Sequence, residues 1–273
     1  MLRFKGENQI KWFKKIAEDV IRQIPRHKEV TGIVLTGGLV RGFTDRYSDI
    51  DITVFLHGKN ESLRKKIIKI SSAEQKRFGV DIDLEVHSLE QFRRRRWSET
   101  DKWDFSQTEI VFDPDEQIRR LLANKTRVSN SFWKDRIIIY GEYLKWYCCP
   151  LTQDVGTVVD SWIERGDLLS VQYCLSYALD LMIGIIFALN KQFLPPLKWR
   201  IYYSYRLEWL PTNYRKLVKE ALTVRSPSIR DVNRRMKALR QMWIETVPVI
   251  QAKTGLTQQL ISKGYREKIL SRT

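Results

Sequence analysis

Two aspartates one residue apart, Asp49 and Asp51, sit inside the run Ser48-Asp49-Ile50-Asp51-Ile52-Thr53-Val54-Phe55. Its polar–apolar alternation predicts a strand, and residues i and i+2 of a strand share a face. Two carboxylates that close repel each other and favour a cation between them. Hard oxygen donors suit Mg²⁺, which keeps several waters and also binds substrate phosphates. Upstream, a β-branched run ends at Val34-Leu35 and the chain turns on the adjacent Gly37 and Gly38. Glycines there allow a positive φ and bring backbone N–H groups close to a phosphate.

A D-x-D pair alone is most often a solvated strand face, so the rest of the chain must supply the context. The segment Val80-Asp81-Ile82-Asp83-Leu84-Glu85-Val86-His87 alternates strictly, with three acids and a histidine on one side. By itself that pattern describes a half-buried strand with a polar outer face.

The positioning elements follow from periodicity. Residues 8–24 place Ile10, Phe13, Ile16, Val20, Ile21 and Ile24 at helical spacing, ahead of Pro25. Strands are predicted at about 30–36 and 50–57. Asn60 is a cap for a basic helix running to about Lys76, with Leu63, Ile67, Ile70 and Ala73 inward. Ser88 and Gln91 have the spacing of a capping box for a helix that carries Arg93-Arg94-Arg95-Arg96, a run expected to be solvated. Residues 105–112 read as a short strand, and Asp113-Pro114 opens a helix with Ile118, Leu121 and Leu122 inward. Beyond 127 the strand signals stop. Segments 129–147, 151–164, 168–189, 198–208, 213–222 and 229–250 read as helices, divided by Pro150, Gly166, Pro195-Pro196, Pro211 and Ser226-Pro227. The division is therefore a 1–126 α+β domain and a 127–273 helical one.

Composition narrows the class. The chain has 273 residues, a net charge of +16, and 43% hydrophobic content, which describes a globular protein with anionic partners or substrates in view. Of that charge, +11 falls in 127–273, where 23 Lys and Arg face 12 Asp and Glu. Trp199, Tyr202, Tyr203, Tyr205 and Trp209 cluster among these basic residues, either as a stacking surface or as core packing with exposed tyrosine tips. Cys148, Cys149 and Cys174 are odd in number and lack C-x-x-C spacing, so reduced thiols and a cytoplasmic protein are expected. Lys5, Lys11, Lys14 and Lys15 break any signal-peptide core, and the apolar stretch Leu181–Leu189 is short of a membrane span, so no membrane partner is expected. P-loop, nucleophile-elbow and zinc-binding motifs are missing.

The order Gly37-Gly38, Arg41-Gly42, Asp45 and Ser48-Asp49-Ile50-Asp51 resembles the G-[GS]…R-G…S-D-x-D signature of the DNA polymerase beta-like nucleotidyltransferases. The likeness is nearest to their small-molecule, antibiotic-type branch. The segments Glu164-Arg165-Gly166-Asp167, Leu189-Asn190, Pro195 and Lys198-Trp199 more loosely resemble the helical domains that follow such catalytic domains. The resemblance implies a mixed sheet with flanking helices and an all-helical C-terminal, acceptor-binding domain. It implies transfer of a nucleoside monophosphate from an NTP, ATP being expected, to a hydroxyl of a small molecule, with release of pyrophosphate. Asp49 and Asp51 would hold two Mg²⁺ ions, and a third carboxylate would come from the next strand. Asp83 is the best match, ahead of Asp81 and then Glu85. Gly37, Gly38, Arg41 and Ser48 would contact the nucleotide. Most members carry serine as the second residue of the pair, so Gly38 leaves only backbone contacts there. A base could also come from Glu142, Asp160 or Glu164. The alternatives are an RNA- or protein-directed nucleotidyltransferase and a catalytically silent nucleotide-binding protein.

Overall fold

The computed structural model describes residues 4–25, 27–149 and 156–270. Two compact units divide the chain, Met1–Val128 and Ser129–Thr273. Pro150 and the first five residues of the helix expected at 151–164 lie outside the described residues.

The first unit is α+β. Its helices are α1 (Ile10–Gln23), α2 (Gly37–Arg41), α3 (Glu61–Phe78), α4 (Leu89–Arg94), α5 (Glu99–Phe105) and α6 (Gln117–Thr126). Its strands β1 (Val30–Leu35), β2 (Ile50–Leu56), β3 (Ile82–Ser88) and β4 (Glu109–Phe112) form one mixed sheet in the order β3-β2-β1-β4. β1 runs antiparallel to β2 and β4, whereas β2 and β3 are parallel with α3 as their crossover. One sheet face is apolar because Ile50, Ile52 and Val54 alternate inward. They pack with Phe13, Ile16 and Val20 of α1 and with Leu63 and Ile67 of α3. Each such buried side chain contributes about 1.5–3 kcal/mol. On the other face, Val34 and Phe55 are covered by Leu89 and Phe92 of α4 and by Ile118, Leu121 and Leu122 of α6.

Several local expectations change. Asn60 does cap α3, accepting from Leu63 N at 2.9 Å. Ala73, expected inward, is exposed, because at 100° per residue the buried face runs through Leu63, Ile67, Ser71 and Glu74. Ser88 occupies the cap position of α4 without a side-chain bond, so no capping box forms with Gln91. A capping box closes instead between Ser98 and Asp101, at the start of the unforeseen α5. Asp113 holds the start of α6, accepting from Ile118 N at 3.1 Å and Arg119 N at 2.8 Å.

The second unit is helical: α7 (Asn130–Tyr147), α8 (Val158–Glu164), α9 (Leu168–Leu189), α10 (Leu197–Ser204), α11 (Tyr214–Leu222), α12 (Ile229–Thr254) and α13 (Gln258–Leu270). α9 is its axis, touched by α7, α8, α10, α11 and α12. By length and composition α9 is apolar enough to cross a membrane, contrary to the short span read from the sequence. However, 72% of its apolar window is buried in the structure, as in a core helix. α12 continues beyond Pro248 to Thr254, four residues past the expected end, with Gly255 as its C-cap. Pro248 lacks the N–H that would bond the Ile244 carbonyl, and Ile244 lies on an exposed face of the helix. Arg235, fully buried, binds α12 to its neighbours through Ala221 O at 2.6 Å, Gln172 O at 3.0 Å and Ser176 Oγ at 2.9 Å.

Candidate active site

The parallel pairing of β2 and β3 sets Asp51 opposite Asp83, and Ile50 opposite Ile82. Neighbouring parallel strands in that register point paired side chains to the same face. Asp51 and Asp83 therefore stand together on the polar side, while the isoleucines beside them enter the core. Asp49 and Asp81 immediately precede the two strands, and Ile50 N donates to Asp81 O at 3.0 Å. The apolar cover from α4 and α6 gathers about Phe55 and Val34. Asp83 is left exposed and Asp51 half-buried.

Electrostatics single out Asp51. Burial, with Asp49, Asp83 and Asp104 nearby, pushes its pKa from 3.8 up to about 6, against the pull of Arg41. Burial and then Glu85, Asp49 and Asp81 also raise Asp83. Crowded carboxylates of this kind favour a bound cation.

Gly37 explains how the turn fits. It has φ +69°, and a Cβ built on it would lie 1.6 Å from Asp51 Oδ2. Any side chain at 37 would occupy the carboxylate's place, so the start of α2 can rest against Asp51 only through glycine. Thr36 N donates to Asp51 O at 3.2 Å and holds the two segments together. Gly38 lacks a side chain for a different reason. Its Cβ would meet the Phe43 carbonyl at 2.9 Å and Thr44 Cγ2 at 3.4 Å. The 42–44 loop thus fills the space that a serine side chain at 38 would need.

Two proposed nucleotide contacts are already engaged. Ser48 Oγ accepts from Asp45 N at 2.9 Å and donates to Asp45 Oδ1 at 3.2 Å, while Tyr47 N donates to Asp45 Oδ1 at 3.0 Å. These bonds tie the loop that delivers Asp49. Arg41 lies over the Trp103 ring at 4.9 Å and 3.6 Å from Asp104 Oδ1 on α5. Trp103 and Asp104 escaped the sequence reading, although Ser98-x-x-Asp101 was there as the signal for their helix. Asn8 was missed too. Its amide donates to Gly42 O at 3.1 Å and accepts from Thr44 N at 3.1 Å, pinning the loop after α2.

The alternative bases in the helical unit have structural duties. Glu142 is buried, accepting from Ser262 Oγ at 2.8 Å and Trp146 Nε1 at 3.2 Å, with Lys145 at 3.6 Å. Asp160 closes the capping box of α8 with Thr157. Glu164 is exposed at the end of that helix.

Among the described residues, no three His, Cys, Asp or Glu side chains converge closely enough to make a ligand set unaided. The donors nonetheless fit Mg²⁺, which takes one or two carboxylates and completes its shell with water and phosphate. Burial first, and then the neighbouring carboxylates, raise the pKa values of Asp51 and Asp83.

Residues 14–106 match the family model of the nucleotidyltransferase domain, a span that includes α2 and Asp49, Asp51, Asp81 and Asp83. No curated protein matches the chain. Among solved structures, the chain is similar to a nucleotidyltransferase-like protein from Exiguobacterium sibiricum 255-15, at 10% identity and TM-score 0.43, covering 90% of this chain and 78% of that one. It is also similar to a chain of the toxin–antitoxin pair MntA-HpeT, at 15% identity and TM-score 0.33, covering 47% of this chain and 95% of that one. A third likeness is to a complex of tri-AMPylated HEPN toxin with MNT antitoxin from Shewanella oneidensis, at 15% identity and TM-score 0.31, covering 49% and 97%.

Proposed function

We propose, from the match of residues 14–106 to the nucleotidyltransferase domain, that the enzyme transfers a nucleoside monophosphate, with ATP as donor, to a hydroxyl of a small molecule. The observation that carries this reading is the pairing of Asp51 with Asp83 in register, with Asp49 beside them and Gly37 closed onto Asp51.

Asp49, Asp51 and Asp83 would hold two Mg²⁺ ions, which when bound neutralise the triphosphate and polarise the acceptor oxygen. The chain's own groups do the positioning on which phosphoryl transfer chiefly depends. Gly37 and Gly38 let the start of α2 approach the phosphates with backbone N–H groups. Asp83, its affinity for a proton raised by burial and by its acidic neighbours, accepts the acceptor's hydroxyl proton. The acceptor oxygen then bonds to the α-phosphorus as the α–β phosphoanhydride bond breaks, and pyrophosphate leaves. In this reading Arg41 and Ser48 act first by fixing the turn and the loop, and the helical unit binds the acceptor, as in the small-molecule branch. Three buried free cysteines support a cytoplasmic setting.

Transfer to RNA is a second reading favoured by one observation. Within the helical unit a cavity of about 530 Å³ is lined by Lys134, Lys191 and Lys253 with Trp133, Asn190 and Glu208. Such a cavity suits an anionic acceptor better than a polycationic one.

The test is pyrophosphate release with each NTP, Mg²⁺ and a panel of small hydroxylated acceptors, run beside labelled NTP with tRNA. Turnover with a small acceptor supports the first reading. Label carried to RNA alone would replace it with the second.

A further inference from the structure

The carboxylates stand at the beginnings of β2 and β3, and the opposite ends of the same strands enclose a separate cavity. In open sheets the crevice beyond the carboxyl ends of parallel strands is a common place for ligands. Here β2 and β3 are the parallel pair, and they lead into α3 and α4. A cavity of about 460 Å³ opens there, lined by Lys59, Glu61 and Arg64 on one side and by His87, Gln91 and Arg95 on the other. Asp51 is the second residue of β2 and Leu56 its last, so at about 3.3 Å per residue the two places are ~16 Å apart along the strand.

Its charge is unbalanced. Lys59 has no carboxylate partner among the described residues. Arg64 and Glu61 are both exposed and 3.6 Å apart, a pairing that binds neither strongly. Arg95 is held in place, stacked over Phe92 at 4.4 Å and bonded to Asp101 at 2.8 Å, so its guanidinium is a fixed part of the wall. Lys59, Arg64 and Arg95 stand against Glu61 in the lining and Asp101 behind Arg95, an excess of one positive charge with Lys59 unpaired among the described residues. A phosphate group brings more acceptor oxygens than a carboxylate, enough to meet the ammonium of Lys59 and the guanidinium donors of Arg64 and Arg95 together. The volume exceeds that of one phosphate and lies in the range of small-ligand sites.

We propose that this crevice is a second binding site, for a small ligand bearing phosphate groups, separate from the aspartate cluster. It does not depend on the reading of that cluster as catalytic.

Titration calorimetry of the full chain with inorganic pyrophosphate, in EDTA and low salt, tests the site. Without metal the aspartate cluster repels the probe. Saturable one-to-one binding is expected. The double variant Lys59→Gln/Arg64→Gln should weaken it about tenfold or more. Both residues are exposed, so the fold should be unaffected. Arg93→Gln/Arg96→Gln, which removes equal charge outside the lining, should leave affinity within about threefold. No saturable binding to the wild type, binding that Lys59→Gln/Arg64→Gln leaves unchanged, or equal weakening by the two variants would overturn the proposal.

Discussion

Replacing Asp51 with asparagine should make the metal-free protein more stable, and by an amount that depends on pH. The folded-state pKa stands at about 6 against an ordinary 3.8. Each unit of difference is about 1.4 kcal/mol, so the ionised side chain costs the folded state ~3 kcal/mol. The sign follows from which state holds the proton. Between pH 3.8 and about 6 the unfolded chain has lost the proton while the folded chain keeps it, so stability falls as pH rises through this window. Below it the cost disappears, and above it the cost is complete. Asparagine keeps the shape without the charge. Urea denaturation with EDTA should then show Asp51→Asn more stable by ~3 kcal/mol at pH 8 and by only ~1 kcal/mol at pH 4.5. The same variant should release no pyrophosphate with Mg²⁺ and NTP. A variant no more stable than wild type at pH 8, or one with an equal gain at both pH values, would refute the electrostatic argument. Wild-type turnover would refute the assignment of the residue.

Gly37→Ala should lower stability by about 2 kcal/mol or more and abolish turnover, because its Cβ needs the position of Asp51 Oδ2. Gly42→Ala, with φ +87° but open space around it, should cost only about 1 kcal/mol in the same denaturation experiment. Gly38→Ser should lose about 1–3 kcal/mol against the Phe43 carbonyl, and a pyrophosphate assay should show no gain in rate. Asp83→Asn should be far less active than Asp81→Asn, since Asp83 is the residue in register with Asp51; the reverse order would move the third carboxylate by two residues. Arg235→Ala should cost ~3 kcal/mol or more by calorimetry, leaving Gln172 and Ala221 acceptors buried without their donor.

Much of the first unit was open to reading because its signals are local. The alternation of Ile50, Ile52 and Val54 against Asp51 and Thr53, and of Val80, Ile82 and Leu84 against Asp81 and Asp83, dictates strands with one acid face. Asn60 and Gly79 mark the two ends of α3 by their own backbone preferences. In the helical unit, Asp167 capping α9 through Leu169 N and Ser170 N at 3.1 Å is local in the same sense. α5 was missed through an overlooked Ser98–Asp101 signal, and α2 because two glycines read as a turn.

What periodicity alone left open was which acid meets which, since Asp81, Asp83 and Glu85 share one strand face and their alternation is the same for all three. Strand pairing brings Asp83 beside Asp51 across thirty-two residues of sequence. Tertiary structure also decided why glycine stands at 37 and 38, because the atoms that exclude a side chain, Asp51 Oδ2 and the Phe43 carbonyl, arrive from later in the chain. It turned Arg41 toward Trp103 and Asp104, and it gave Glu142 and Asp160 structural partners. Residue type and spacing establish what chemistry is available. Which groups share space is set by packing between distant segments, and that is the part a local pattern does not encode.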